Sequence, residues 1–247
     1  MHSSPLFICF LDASKAFDKI NYWLLFRKLL KRNIPVFFVR LLAFWYSSQK
    51  LCVQWGDALS ADFTVLNGVK QGGILSPLFF NVYMDELSTR LNTCGVGCNV
   101  NGEFLNHFMY ADDICLVAPS AKALQRMLDI CTDHADSHNI VFNSNKSVCM
   151  CINSAKYKLQ VFPIVHLGIQ VLQYVNLYKY LGCIINNVLN DNDDMKRTLR
   201  GIYARANMLC RKFYNCSDKT NSVLTVPIFI VCNYGVHTLK NRCVKYV

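Results

Sequence analysis

The sequence predicts an α+β fold in which a mixed body is followed by a basic helical segment. Two observations support this prediction. Apolar runs typical of strands alternate with amphipathic stretches typical of helices, and positive charge is concentrated near the carboxyl end. The chain has 247 residues, of which 53% are hydrophobic and 17% are charged, which is enough for one large domain or for a domain with an appended lobe. We expect a body over residues 1–190 and a basic segment over residues 191–247.

The first elements follow from the order of apolar residues. The run LFICFL, residues 6–11, predicts a strand buried on both faces, which ends at Asp12. The stretch NYWLLFRKLLKR, residues 21–32, predicts an amphipathic helix. We expect its buried face to contain Trp23, Phe26, Leu29 and Leu30. The stretch PVFFVRLLAFWYSS, residues 35–48, predicts a second helix that is largely buried.

Two short strands, a loop and a helix are expected next. KLCVQW and DFTVL predict strands joined by the turn residues GDALS. NGVKQGGILSP, residues 67–77, is typical of a loop, and its Gly72 and Gly73 allow a close approach of the backbone to a ligand. Ser76 and Pro77 predict the cap and the first residue of the helix PLFFNVYMDELSTRLN.

The stretch FMYADDICLVAP, residues 108–119, contains two adjacent aspartates between apolar runs. We expect a hairpin with FLNHFMY and ICLVA as strands and ADD at the connection. Neighbouring carboxylates repel each other and are costly to bury, so Asp112 and Asp113 are expected to share a cation. If the hairpin lies beside the strand that ends at Asp12, three carboxylates meet at one edge, which suits two Mg²⁺ ions in a phosphoryl transfer. Spacing alone leaves an alternative, in which Asp113 is a turn residue and Asp12 a helix cap.

The later elements are predicted by similar patterns. SAKALQRMLDICTDHADSHN, residues 120–139, predicts a helix with Leu124, Met127, Leu128 and Cys131 on one face. SVCMCI and YKYLGCII predict strands. MKRTLRGIYARANMLCRKFY, residues 195–214, predicts an amphipathic helix with its basic residues largely outward. The inward positions of this helix are expected to be Leu199, Ile202, Tyr203, Ala206, Leu209 and Phe213.

Charge is distributed unevenly along the chain. Residues 1–120 contain ten basic and nine acidic residues, whereas residues 195–247 contain ten basic residues and one acidic residue. Nearly all of the net charge of +10 therefore lies at the carboxyl end. This pattern is typical of polyanion binding, because Lys and Arg that neutralise phosphates supply most non-specific affinity for nucleic acids. On charge alone, a solvated basic face that maintains solubility is the alternative.

Cysteine content and hydropathy indicate the compartment. The chain has 13 cysteines and no secretory signal or other targeting signal, so we expect reduced thiols in an intracellular compartment, either nucleus or cytoplasm. The longest apolar runs, IPVFFV and VPIFIVC, are shorter than the roughly 20 residues that cross a bilayer. No membrane span is expected.

Five blocks, FLDASKAFDKI, LNGVKQGGILSP, FMYADD, FNSNKS and YKYLG, in this order and spacing, resemble the palm of reverse transcriptases, particularly those of non-LTR retrotransposons. The resemblance extends from about residue 6 to residue 185, and the later stretch VCNYGVHTLK is similar to the region after the palm in such elements. It implies a polymerase palm, an antiparallel sheet packed on helices, over residues 1–190, followed by a partial thumb-like segment. The implied activity is RNA-directed DNA polymerisation, with an RNA template, a DNA primer and a dNTP as partners.

The resemblance also implies the roles of individual residues. The catalytic and metal-binding residues would be Asp12, Asp112 and Asp113, with two Mg²⁺ ions or with Mn²⁺ in their place. Phe17 would lie beneath the sugar of the incoming nucleotide and favour deoxynucleotides, although it could equally be a core aromatic residue. Gln71 would lie near the nucleotide and the template base. Lys146 would protonate pyrophosphate, with a solvated turn lysine as the alternative.

Further matches concern the primer and the template. Tyr110 would lie in the hairpin beside the metals, and Ala111 would leave room near the primer terminus. Tyr180 and Gly182 belong to YKYLG, which resembles the hairpin that grips the primer end, although its aromatic residues could serve sheet packing. The basic helix would follow the duplex backbone through Lys196, Arg197 and Arg200.

The sequence departs from the family pattern at its beginning. Only eleven residues precede Asp12, whereas reverse transcriptases usually have a fingers region there that holds the triphosphate. We therefore expect a fragment that lacks the fingers, and the sequence indicates no oligomeric state. One alternative function is RNA-dependent RNA polymerisation, against which Phe17 and YADD argue. Another is a catalytically inactive remnant that still binds nucleic acid.

Overall fold

The computed structural model describes residues 5–70, 72–153, 159 and 161–213, and Gln71 therefore lies outside the described residues. The chain divides into two compact units, residues 1–176 and 177–247. The expected boundary near residue 190 concerns the change from palm to thumb and stays a prediction.

The helices of the first unit are α1 (Tyr22–Lys31), α2 (Val36–Ser47), α3 (Ser76–Thr93) and α4 (Ala121–His138), with a 3-10 helix at Ala16–Lys19. The second unit contains α5 (Asn192–Lys212). The strands of the first unit are β1 (Leu6–Asp12), β2 (Lys50–Leu51), β3 (Gln54–Trp55), β4 (Ala58–Leu59), β5 (Phe63–Thr64), β6 (Cys98–Val100), β7 (Glu103–Leu105), β8 (His107–Tyr110), β9 (Asp113–Ala118), β10 (Val148–Ile152), β11 (His166–Leu167), β12 (Gln170–Val171) and β13 (Gln173–Tyr174). The strands of the second unit are β14 (Leu177–Tyr180) and β15 (Cys183–Asn186).

A five-stranded sheet with the order β13-β10-β1-β9-β8 forms the centre of the first unit. Strand β1 is antiparallel to both of its neighbours, β9 and β10, and the pair β10 and β13 is parallel. Phe7, Cys9 and Leu11 of β1 join the hydrophobic core that includes the buried faces of α3 and α4. Ile8 and Phe10, which alternate with them, are also buried. The predicted α+β fold and the burial of β1 on both faces are confirmed.

Helix α4 forms where the sequence predicts it. The Ser120 side chain accepts a hydrogen bond from the Ala123 N–H at 3.2 Å, and Asn139 ends the helix in a left-handed conformation. The predicted apolar face is fully buried in the core. A strong 3.6-residue period with a cap at each end therefore specified this element correctly.

The buried face of α1 differs from the prediction. Tyr22, Leu25, Phe26 and Leu29 are buried, whereas Trp23 and Leu30 are exposed. Apolar residues occur on both sides of this helix, so the spacing of apolar residues alone is consistent with either side being buried. The structure selects the face that packs against α2 and α3.

The prediction that α2 is largely buried is wrong. Only Val39 and Tyr46 are buried in this helix, and its outer face exposes several large apolar side chains. A helix that is apolar on all sides is normally buried, and its sequence gives no phase that distinguishes an inner from an outer face. Helix α2 contacts the core through one narrow stripe and leaves the rest in solvent.

The region between α2 and α3 also differs in detail from the prediction. The expected strands are shorter, because KLCVQW is divided into β2 and β3, DFTVL contains only β5, and β4 lies within the expected turn GDALS. The outer strands β2 and β5 pair with each other, and β3 and β4 between them form a small hairpin. The expected cap at Ser76 is wrong, since Ser76 is the first residue of α3 and follows the N-cap Leu75. The Ser76 hydroxyl instead donates a hydrogen bond to the Lys70 carbonyl, which ties the loop to the helix.

The second unit combines a hairpin with α5. YKYLGCII, expected as a strand, is instead divided between β14 and β15, and this hairpin is the one that the resemblance of YKYLG implied. Tyr180 pairs with Cys183 across a loop whose two residues, Leu181 and Gly182, both have positive φ, which matches the twist of a two-residue hairpin. Most predicted inward positions of α5 are half-buried, but Tyr203 is exposed and that expectation is wrong.

None of the helices in the described part of the chain has the length and apolar character required to span a bilayer.

A buried histidine pair lies in α4. The rings of His134 and His138 stack with centroids 3.8 Å apart. His134 is fully buried, and within the described residues neither of its ring nitrogens has a hydrogen-bond partner. Burial, followed by the charges of His138 and Lys28, lowers the pKa of His134 to about 3. At pH values between about 3 and 6.5, the imidazole of His134 is therefore neutral in the folded protein, whereas the same group in an unfolded chain is largely protonated.

We expect the free energy of unfolding to fall as the pH is lowered from 7.5 to 5.5. An unfolded histidine has a pKa of about 6.5 and takes up a proton that folded His134 cannot, which costs about 1.4 kcal/mol of stability at pH 5.5. Urea denaturation followed by circular dichroism at the two pH values measures this loss. In the variant His134→Leu, the free energy of unfolding should depend less steeply on pH. The variant should not be less stable at pH 7.5, because the substitution removes two unpartnered polar atoms. If the free energy of unfolding of His134→Leu depended on pH as steeply as that of the unmodified chain, the loss of stability could not be attributed to His134.

Candidate active site

Strand pairing brings two of the predicted carboxylates together. The register of β1 with β9 places Asp12 directly opposite Asp113. Directly opposed residues in antiparallel strands have Cβ atoms about 4.5–5.5 Å apart and lie on the same face of the sheet. Asp12 ends β1 and the N-cap of the following 3-10 helix is Lys15, so Asp12 is not a helix cap. Asp113 is the first residue of β9 rather than a turn residue.

The third carboxylate lies in the adjoining turn. Tyr110 pairs with Asp113 across a two-residue connection formed by Ala111 and Asp112. Ala111 has a φ of 51°, a left-handed conformation that costs roughly 1–2 kcal/mol for a residue other than glycine. Strained backbone of this kind tends to persist at functional sites, where the surrounding structure imposes it. The turn thus holds Asp112 beside the cross-strand pair.

The three carboxylates interact electrostatically. Burial, followed by the charges of Asp112 and then Asp12, raises the pKa of the Asp113 carboxyl. Burial disfavours the charged form of this carboxyl, and the like charges of the two neighbouring carboxylates disfavour it further. This arrangement favours a cation, since a positive charge would relieve that repulsion.

The segment 141–147 fixes the position of Asp12. The Asp12 N–H donates to the Ser147 hydroxyl at 3.1 Å, and the Asp12 carbonyl accepts from the Asn143 N–H at 2.8 Å. The Asn143 carbonyl in turn accepts from the N–H groups of Lys146 and Ser147, which closes a tight turn. Sequence reasoning missed Asn143 and Ser147. The FNSNKS block indicated Lys146, but no local sequence pattern records the hydrogen bonds of Asn143 and Ser147 with the distant Asp12.

Lys146 lies beside the acidic cluster. Its Nζ atom is 3.8 Å from Asp12 Oδ2, and its side chain remains 68% exposed. The ammonium group is therefore close enough to partly neutralise Asp12, and its exposure leaves it free to move. The structure brings Lys146 together with the carboxylates, as the sequence predicts for a residue of this site.

Phe17 is positioned by the helix beside it. The Phe17 ring is half-buried and stacks on Phe80 of α3 with ring centroids 4.5 Å apart. The Phe17 carbonyl accepts a hydrogen bond from the Val69 N–H at 2.8 Å, which holds the loop that precedes α3. Gly68 permits this approach, because a Cβ atom there would lie 2.8 Å from the backbone of Asp18.

The donor chemistry of the acidic edge suits a hard divalent cation. Magnesium prefers carboxylate oxygens and is usually held by one or two of them together with water and substrate phosphates. Within the described residues, no group of three or more His, Cys, Asp or Glu side chains is placed so that it could hold a metal ion by itself. A magnesium ion at this edge would therefore need water and substrate oxygens, besides carboxylate oxygens, to complete its coordination.

The remaining predicted residues fall into two groups. Tyr110 is exposed at the end of β8, directly before the turn that contains Asp112. Tyr180 and Gly182 form the end of the β14 and β15 hairpin in the second unit. On α5, Lys196 and Arg200 are exposed, whereas Arg197 pairs with Asp194 at 2.8 Å. The structure thus assembles the carboxylates and Lys146 in the first unit, with the basic residues in the second.

Sequence comparison identifies relatives of this chain. Residues 2–185 match the family described as reverse transcriptase (RNA-dependent DNA polymerase). The chain is 29% identical over 187 residues to the Pol polyprotein of the type-2 retrotransposable element R2DM of Drosophila melanogaster, a match that covers 73% of this chain and 18% of that protein. It is 28% identical over 187 residues to the RNA-directed DNA polymerase of the mobile element jockey of Drosophila funebris, covering 73% and 20%. The chain thus spans about a fifth of the length of these relatives.

Solved structures share the fold at low sequence identity. The apo telomerase of Candida tropicalis truncated from its C-terminal domain superposes with a TM-score of 0.54 at 13% identity, over 76% of this chain and 35% of that one. The telomerase of the same species in complex with a TWJ fragment of telomeric RNA gives 0.53 at 12% identity, over 76% and 29%. With an acidic pair fixed across two antiparallel strands and a family match that includes every block of the palm, the chain belongs to the reverse transcriptase family, as its resemblance to the enzymes of non-LTR retrotransposons predicted.

Proposed function

We propose that the chain forms the palm, residues 1–190, and a thumb-like segment, residues 191–247, of a retrotransposon RNA-directed DNA polymerase. The reaction is transfer of a nucleotide from a dNTP to the 3′ hydroxyl of a primer on an RNA template. The observation that carries the proposal is the register that sets Asp12 opposite Asp113, with Asp112 in the adjoining turn, in a chain of this family. In this proposal all three aspartates are catalytic.

Asp12, Asp112 and Asp113 would hold two magnesium ions, with manganese as an alternative. When bound, such ions activate the primer hydroxyl and neutralise the departing pyrophosphate. The raised pKa of Asp113, caused by burial and by the charges of Asp112 and Asp12, supports this role, because a bound cation would favour its ionised form. The backbone hydrogen bonds to Asn143 and Ser147 keep Asp12 in position when charge is added or removed.

Lys146 is proposed to hold and deliver a proton at its Nζ atom. Its contact with Asp12 at 3.8 Å is longer than a hydrogen bond, and most of the side chain is in solvent. The ammonium group can therefore leave the carboxylate and bind a phosphate oxygen of the nucleotide. Protonation of pyrophosphate by this group would ease its departure.

Phe17 and Gln71 are proposed to bind the nucleotide. The stack on Phe80 fixes the Phe17 ring, so that the ring presents a rigid surface to the sugar and opposes a 2′ hydroxyl. Gln71 lies outside the described residues, and its proposed contact with the nucleotide and the template base depends on its place in the block LNGVKQGGILSP, directly after Lys70.

The second unit is proposed to bind the primer and template. Lys196 and Arg200 are exposed on α5 and would contact phosphates without regard to sequence. Arg197, which is already paired with Asp194, would add a weaker contribution. Tyr180 and Gly182 would contact the primer end, and Tyr110 would line the approach to the metals. The RNA template, DNA primer and dNTP are thus the proposed partners.

An intracellular compartment, nucleus or cytoplasm, is part of the same proposal. The cysteines within the described residues are free thiols, and several are buried in the core. Free thiols in this number are typical of a reducing compartment.

Primer extension tests the polymerase proposal. The assay uses residues 1–247 with a poly(rA) template, an oligo(dT) primer, Mg²⁺ and dTTP. Any extension that this chain supports should fall by about a hundredfold or more in Asp112→Asn, because the substitution removes one of the charges that hold the cation. Binding to the primer and template should be retained. Asp129→Asn, at an exposed position of α4, is the matched control and should keep its activity. Extension that persists in Asp112→Asn would refute the metal assignment, and binding without extension by the unmodified chain would instead indicate an inactive nucleic-acid-binding remnant.

Thermal unfolding tests the cation independently of catalysis. Mg²⁺ at ten times its dissociation constant should stabilise the protein by about 1.4 kcal/mol, which corresponds to a rise in Tm of about 3–6 °C. Asp113→Asn should unfold at the same or a higher temperature without Mg²⁺, because it removes like-charge repulsion, and should lose the rise with Mg²⁺. Asp136→Asn serves as the control on α4. A rise that survives in Asp113→Asn would show that the ion binds elsewhere.

Substitution of Phe17 tests the sugar contact. Phe17→Ala should reduce the preference for dTTP over UTP by about tenfold or more, because the steric barrier to the 2′ hydroxyl is removed. The ratio of kcat/KM for the two nucleotides measures the effect. Phe162→Ala, which removes a ring that stacks on Tyr174 elsewhere in the same unit, controls for general loosening. An unchanged ratio in Phe17→Ala would leave Phe17 with a packing role alone.

A further inference from the structure

The segment of residues 19–56, here called the aromatic-basic segment, has an unusual charge pattern. It contains seven Lys and Arg residues and no Asp or Glu. Lys28 pairs with Glu86 at 2.8 Å, and Arg32 pairs with Asp85, both on α3. These two pairs neutralise only part of the positive charge of the segment.

Four further basic side chains remain exposed. They are Arg27, Lys31, Arg40 and Lys50. No ion pair within the described residues involves any of them. The aromatic-basic segment therefore presents uncompensated positive charge, which favours a polyanionic partner.

The same segment exposes aromatic rings. Trp23 is 73% exposed, Phe37 72%, Phe44 71% and Trp55 85%, and within the described part of the chain no other aromatic side chain exceeds 70%. Large aromatic side chains in solvent forgo the burial that stabilises a fold, and four of them within one segment of the chain indicate a binding role for that segment.

Helix α2 combines rings and charge on one face. Phe37, Leu41 and Phe44 recur at intervals of four and three residues, opposite the buried side chains of Val39 and Tyr46. Arg40 lies three residues after Phe37 and four before Phe44, so that it neighbours both rings on the helix surface. Alternation of rings with guanidinium groups is the pattern that binds stacked bases and phosphates.

We infer that the aromatic-basic segment binds single-stranded nucleic acid, with Phe37 and Phe44 stacking on bases and Arg40 contacting phosphate. A single strand is favoured over a duplex because its bases are available for stacking. A second copy of this chain is disfavoured because two acid-free basic surfaces repel each other. The inference goes beyond the proposed polymerase function, since this binding requires neither the aspartates nor a metal.

Fluorescence anisotropy of a labelled 20-nucleotide oligo(U) with residues 1–247 tests the inference. The double variant Phe37→Ser and Phe44→Ser should weaken binding by about fivefold or more for each stacking ring removed. Arg40→Ala should reduce the slope of log affinity against log salt concentration by about 1. The substituted rings are exposed, so the variants should fold, and circular dichroism verifies this. Phe104→Ala and Arg126→Ala, at exposed positions outside the segment, are matched controls.

A 20-base-pair RNA–DNA duplex, measured in parallel, separates this surface from the proposed thumb. Duplex affinity should be unchanged in the double variant, and the affinity for oligo(U) should be unchanged in Asp112→Asn. Oligo(U) affinities within twofold of the unmodified chain in the double variant would overturn the inference. Self-association in sedimentation velocity that the double variant abolishes would also overturn it, by identifying a protein interface. A chain that binds oligo(U) through these rings but extends no primer would refute the proposed polymerase function and support this inference.

Discussion

The antiparallel pairing of β1 with β9 is the interaction on which the rest of the structure depends. It sets the register that turns Phe7, Cys9 and Leu11 toward the core, and it fixes Asp12 opposite Asp113. Because side chains alternate along a strand, a slip of one residue would exchange the buried faces and separate the two carboxylates. Burial of apolar side chains thus stabilises the same register that holds like charges together.

The backbone around the site is more constrained than its side chains. Asp12 is fixed through its N–H and its carbonyl, and Ala111 is held in a left-handed turn, while the Lys146 side chain is largely free. This division suits chemistry in which carboxylates must stay in place as ions arrive and a lysine must move. The cost is the burial of Asp113 beside two like charges, which raises its pKa, and a bound cation would offset that cost.

Helices and strands whose apolar residues recur with one clear period were predictable from the sequence. Elements whose apolar residues show no such period were not. Strand β1, the hairpin of β8 and β9, and α4 formed as expected, because alternation or a capped helical face allowed one arrangement each. The burial of α2 was wrongly predicted because the helix is apolar on all sides, so its sequence does not indicate which side faces the core. Ser147 was missed because its bond to Asp12 spans 135 positions of sequence, which no local pattern records. The roles of Gln71 and Lys196 stay predictions.

A count of basic and acidic residues over a long stretch of sequence does not show where each kind of charge is concentrated. Residues 1–120 are nearly neutral, with ten basic and nine acidic residues, yet seven of the basic residues lie within residues 19–56, where no acid occurs. The carboxylates of this unit would repel a nucleic acid in the absence of cations, so attraction has to come from other residues. The aromatic-basic segment supplies that attraction within the unit that contains the acidic edge. A nearly neutral half of the chain can therefore bind a polyanion through one surface and bind cations through another.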